Sequence, residues 1–142
     1  MKGWIKKCIV AVLVAGIVSA VIYLIYRCYT PIDREKLRDI SYEIVEEENI
    51  PAEVYECIEE NKDEINRLSY LCSDKLYIIV CYGAQPTGGY TIEVNQLYES
   101  SNAIIVETTL IGPSRQEKVE QTVSYPYIVL RVENVGKSVV FN

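Results

Sequence analysis

The chain has 142 residues, a formal net charge of −6 and no histidine. That length holds one modest domain plus an extra segment, and the missing histidines exclude Ser-His-Asp and Cys-His catalysis and His-based metal sites. Beyond residue 27 the balance sharpens to ten basic against twenty acidic residues, which argues against a nucleic-acid partner and against docking on an anionic lipid surface.

The first element is apolar. Cys8 to Tyr26 runs 19 residues without a charge, or about 28 Å as a helix, close to the ~30 Å hydrocarbon core of a bilayer. Lys2, Lys6 and Lys7 precede it and Arg27 follows it. The spacing predicts a single transmembrane helix within 1–29. A cleaved signal peptide is the competing reading, on the small triplet Val18-Ser19-Ala20. Six more apolar residues, Val21 to Tyr26, follow that triplet, whereas a signal core stops before its cleavage site. Counting Lys and Arg on the two flanks does not choose an orientation. The short basic start before the first apolar run is how an export signal is built, so the expectation is a single-pass protein of the cell membrane. Its N-terminus is cytoplasmic and its C-terminal domain extracytoplasmic.

Residues 30–39 are polar and mixed in charge, and read as a juxtamembrane linker before a domain over 40–142. Ile40, Tyr42 and Ile44 alternate with Ser41, Glu43 and Val45, which predicts a short strand with one apolar face. The acids Glu46-Glu47-Glu48 that follow would point to alternating faces of an extended chain, so they read as solvated rather than as a metal site. Pro51 suits the first turn of a helix. With Val54, Ile58, Ile65 and Leu68 on one face and acids and bases elsewhere, the pattern is that of an amphipathic helix covering a core. Lys75 to Tyr82 is apolar on both faces, a central strand. After a turn at Gly83 to Gly89, the segments 90–98 and 103–111 form an antiparallel pair across the loop Glu99 to Asn102. Gly112-Pro113 ends the second of these. Thr122 to Glu133 is a strand broken by Pro126, which belongs at an edge, a bulge or the strand start, and Ser138 to Phe141 closes the domain. The fold class is therefore α+β: a transmembrane helix, then a small, mostly antiparallel β domain with one covering helix.

Chemistry is sparse. Cys8 is an apolar filler in the membrane helix and Cys28 sits at its boundary. Cys57, Cys72 and Cys81 are too few for a four-thiolate zinc site; they are either buried free thiols or, in an oxidising compartment, include one bridged pair. Cys81 inside an apolar strand is expected to be inert rather than nucleophilic. Gly88-Gly89 is followed by Tyr90 where a phosphate loop needs lysine. No serine sits on a nucleophile turn and no carboxylate pair stands out by spacing, so the reading is of a protein that is not an enzyme and carries no cofactor or metal. Two features remain. The turn is rich in glycine and proline, and 12 tyrosines accompany a single Phe and a single Trp. Tyr77, Tyr82, Tyr90, Tyr98, Tyr125 and Tyr127 lie on or beside strands, where tyrosine serves sheet packing and contact surfaces alike.

The segment Pro86-Thr87-Gly88-Gly89-Tyr90-Thr91-Ile92, then Gly112-Pro113, then Gln121-Thr122-Val123-Ser124-Tyr125-Pro126-Tyr127-Ile128-Val129, resembles the C-terminal domain of PrcB-type protease complex subunits. The resemblance covers 75–141. It implies a small extracytoplasmic β-rich domain that associates with another protein, in the naming example a surface protease. Gln85 to Tyr90 is also similar to the NPTTGY loop of chagasin-type cysteine-protease inhibitors, with Gln for Asn and Gly for the second Thr and without counterparts of the other two inhibitory loops. Three functions follow as expectations. The first is a membrane-anchored extracytoplasmic module that binds a protein partner through Gln85, Pro86, Thr87, Gly88, Gly89, Tyr90, Tyr125, Pro126 and Tyr127. The second is a protease inhibitor using the loop 84–90. The third is a structural envelope domain with no dedicated site, in which that loop packs against its own domain.

Overall fold

A computed structural model describes residues 1–29 and 31–142. Thr30, which the linker expectation included, lies outside the described residues. The chain divides into two compact units, 1–32 and 33–142.

The first unit is helix α1, Lys2–Cys28, long and apolar enough to cross a membrane. All of its residues are exposed, and its hydroxyl at Ser19 donates to the Gly16 carbonyl at 3.0 Å. A helix with its polar groups closed internally is the form a single span can take in hydrocarbon.

In the second unit eight strands make two sheets. The strands are β1 (Arg38–Asp39), β2 (Tyr42–Ile44), β3 (Ile65–Cys72), β4 (Lys75–Tyr82), β5 (Thr91–Glu99), β6 (Ala103–Ile111), β7 (Tyr127–Glu133) and β8 (Ser138–Phe141); helix α2 (Ala52–Asn61) lies between β2 and β3. One sheet runs β1-β5-β6-β8 and the other β2-β7-β4-β3. Every pairing is antiparallel except β6–β8. The main core lies between the sheets. Leu76, Ile78 and Val80 of β4 and Ile128, Leu130 and Val132 of β7 meet Leu97 of β5 and Ile104 and Val106 of β6. On the opposite face of β4 and β7, Tyr77, Ile79, Cys81 and Val129 pack under Val54 and Ile58 of α2. The expected α+β class, central strand, covering helix and 90–111 hairpin are all present.

Two expectations change. The helix stops at Asn61, and Ile65 and Leu68 belong to β3 rather than to its apolar face. The spacing of Ile65 and Leu68 fits a helix and a strand alike. A two-residue turn decides the matter: Ser73 and Asp74 both adopt positive φ, 48° and 62°, the conformation of a type I′ hairpin. That turn pairs Cys72 with Lys75 and zips β3 along the whole of β4.

The second change concerns the stretch read as linker. Its residues 33–39 pack on the domain as a strap. Leu37 N–H donates to the Glu99 carbonyl at 2.8 Å, and the Tyr98 hydroxyl donates to the Arg34 carbonyl at 3.1 Å. The Ser101 hydroxyl donates to the Asp33 carboxylate at 2.6 Å. The strap is fastened at Glu99 of β5, a buried acid held by Arg38 at 2.6 Å and Lys137 at 2.7 Å. Within the strap Lys36 pairs with Asp39, and a polar composition alone does not distinguish such a segment from a solvated linker.

The Lys137 ammonium, and then Arg38, hold the Glu99 carboxyl below the usual carboxylate range. An acid whose native pKa is depressed contributes stability above its ordinary pKa and loses it as pH falls through the depressed value. Urea unfolding of the full chain in detergent is therefore expected to give falling stability on acidification below the ordinary carboxylate range. Glu99→Gln is expected to be less stable than the parent at neutral pH and to flatten this dependence. Equal acid slopes for parent and variant would rule the strap out as the pH-dependent element.

Candidate functional site

The turn after β4 begins with a fixed glycine. Gly83 has φ +69°, and a Cβ there would lie 3.2 Å from the Glu64 carbonyl carbon and 3.3 Å from the Ile65 nitrogen. Only glycine fits both the conformation and the space beneath the α2–β3 connection.

From Gly83 the loop is sewn to the segment before β7. Gln85 and Ser124 exchange backbone hydrogen bonds of 2.8 and 3.0 Å. The Gln85 amide donates to the Tyr82 carbonyl at 3.0 Å, and the Ser124 hydroxyl donates to the Thr87 carbonyl at 2.6 Å. Thr87 turns its own hydroxyl onto the Gly88 carbonyl at 3.1 Å. Gly88 N–H donates to the Glu120 carbonyl at 2.9 Å, and Tyr82 N–H to the Pro126 carbonyl at 3.0 Å. Gly89, with φ +82°, faces Val119 and Pro113 so closely that a side chain there would overlap Val119. The Tyr90 ring lies across Gly112, 3.3 Å from where a Cβ would stand. Each glycine or small residue of the pattern thus marks a place where one loop closes on the other.

The candidate residues are therefore brought together, but with different exposure. Gln85, Thr87, Gly88, Tyr90, Pro126 and Tyr127 are half-buried, whereas Pro86, Gly89 and Tyr125 are exposed. Pro126 sits just ahead of β7, at the strand start that its missing N–H requires. Burial, and then the nearby Glu47, raise the Tyr127 phenol above its usual range. Tyr125 is 39% exposed, with the Lys62 ammonium 5.9 Å above its ring, and Val123 beside it is 55% exposed. Val123, Val119, Glu120 and Lys62 were not singled out by the sequence. For Val119 and Glu120 the only available signal was their position in a loop between the motif halves, and Lys62 lies just after α2, outside both.

Burial pushes the Cys81 thiol up to about 11, the inert state expected of a cysteine on an apolar strand. The acids Glu46, Glu47 and Glu48 line an open depression with Tyr55, and each is exposed. Among the described residues no group of three or more Cys, Asp or Glu is placed to hold a metal ion.

A family model described as PrcB C-terminal matches residues 76–133. The match runs from β4 through β7 and contains both interlocked loops. No curated protein and no solved structure matches the chain.

Proposed function

Residues 76–133 belong to the PrcB C-terminal family, and on that premise we propose that this chain is a membrane-anchored, extracytoplasmic module that binds a protein partner at the loop end formed by 84–90 and 123–127. Helix α1 is the anchor, with the N-terminus inside and the domain outside. The observation that carries the reading is the sewing of the two loops by backbone hydrogen bonds, with Pro86, Val123 and Tyr125 left exposed beside one another in the pattern. A surface fixed in advance loses little conformational freedom on binding, and an aromatic ring with an apolar neighbour is the kind of anchor that protein interfaces use. A surface protease is the first partner to examine, as the family resemblance implies. The inhibitor alternative gains no support from the loop, because the Thr87 hydroxyl is turned onto Gly88.

One observation favours the structural alternative: Gln85 and Thr87 spend their side-chain donors inside the domain. Affinity capture with the full-length chain in native membranes separates the two readings. Proteins recovered with the parent are expected to be lost with Val123→Asp/Tyr125→Ala and kept with an exposed substitution far from the loop end, such as Glu133→Gln. Identical recovery by parent and double variant would leave the loop end as a folding clamp.

A further inference from the structure

The second sheet ends on β3, an eight-residue strand with no neighbour on its outer side among the described residues. It precedes the segment matched by the family model. Which of its backbone groups are free follows from the hairpin. The type I′ turn at Ser73-Asp74 makes Cys72 and Lys75 a hydrogen-bonded pair. Pairs alternate along an antiparallel ladder. Tyr70, Leu68 and Asn66 therefore bond to β4, and Leu71, Ser69, Arg67 and Ile65 turn both N–H and C=O outward.

The side chains of the same four residues lie on the face that β4 turns to the other sheet, and on β3 they are exposed. Ile65 is 71% and Leu71 57% exposed, although their partners Tyr82 and Leu76 are half-buried and buried. An edge of this length with apolar ends is what soluble domains ordinarily cover or blunt with charge. Here the only charge within β3 is Arg67.

We infer that β3 pairs antiparallel with β3 of a second copy of this chain, joining the two second sheets into one eight-stranded sheet. The sequence of the strand selects the register. Twofold pairing about Leu68 sets Ile65 opposite Leu71 of the second copy and Arg67 opposite Ser69. All four outward residues on each strand then find hydrogen-bonded partners, giving about eight bonds across the interface. On the α2 side Leu68, half-buried in the single chain, meets its own copy on the axis. A twofold centred on Arg67 would oppose two guanidinium groups. One centred on Ser69 would set Arg67 against Leu71 and leave Ile65 opposite the turn. Only the Leu68 register is self-complementary in bonding, shape and charge at once.

The test uses the full-length chain in detergent micelles, with mass measured by light scattering. The parent is expected as a dimer. Ser69→Pro removes one outward N–H and none of the β3–β4 bonds, so it is expected to keep the fold by circular dichroism and to halve the mass. Oxidative cross-linking checks the register independently. Leu68→Cys lies on the axis, where a non-hydrogen-bonded pair stands ~4.5 Å apart between Cα atoms, within disulfide reach. In a background carrying Cys8→Ser and Cys28→Ser, which removes the two exposed thiols, it is expected to give a covalent dimer that this background alone and Ser69→Cys within it do not give. If Ser69→Pro misfolds, the cross-linking comparison decides alone. A monomeric parent overturns the proposal. So does a dimer that survives Ser69→Pro, or one in which Leu68→Cys cross-links no more than Ser69→Cys.

Discussion

Gly89→Ala is expected to destabilise the domain by about 2–5 kcal/mol. About 1–2 kcal/mol of this comes from holding a residue with a Cβ in the left-handed region, where Gly89 has φ +82°. The remainder is overpacking, about 1–3 kcal/mol when an added methyl has no room, because the new Cβ overlaps Val119 Cγ1 and approaches Pro113 Cβ to 3.1 Å. The two parts separate in a double variant. Adding Val119→Ala opens the space but leaves the backbone conformation unchanged, so Gly89→Ala/Val119→Ala is expected to recover the overpacking part and retain a deficit of about 1–2 kcal/mol. Urea unfolding of the four proteins in detergent measures both. Full recovery would show that φ contributes nothing, and no recovery would show that the loop does not close on Val119.

A larger effect is expected in α1. Leu13→Arg/Ile17→Arg puts two guanidinium groups on one face near the middle of the apolar span. Each exchange of an aliphatic residue for arginine at a helix centre costs about 3–4 kcal/mol on the insertion scale, so the pair opposes insertion by about 6–8 kcal/mol. Carbonate extraction of membranes is expected to leave the parent in the pellet and release the double variant. Retention of the variant would show that something other than α1 fixes the chain to the membrane.

The sequence made the centre of the fold legible because its signals were redundant there. Lys75 to Tyr82 is apolar on both faces and flanked by a glycine turn, and Pro126 limited its own position to an edge, a bulge or a strand start. The hairpin of β5 and β6 was announced by two alternating runs and a four-residue loop. Ile65 and Leu68 carried an ambiguous spacing, and the deciding turn is Ser73-Asp74, a pair without the glycine that usually marks a type I′ hairpin. Residues 33–39 were opaque for another reason. Their bonds go to Glu99, Tyr98 and Ser101, and composition cannot report a partner some sixty residues away. The candidate site was half legible. Its glycines and its Tyr-Pro-Tyr segment stood out, but Gln85 and Ser124 meet across 39 positions, and the exposed Val123 gave no signal of its own.

The strap and the second strand have a consequence in time. Arg38 bonds to Glu99 across 61 positions and Arg131 to Glu43 across 88. β3 and β4, by contrast, meet across two residues. Local hairpins close in about 1–10 μs, whereas domains dominated by distant pairings fold in milliseconds to seconds. The part of the domain that leaves the ribosome first is therefore the last to find its partners. Between synthesis and completion the β3–β4 hairpin is formed while β1 and β2 still wait, and in that interval the chain carries more open strand edges than the finished domain does.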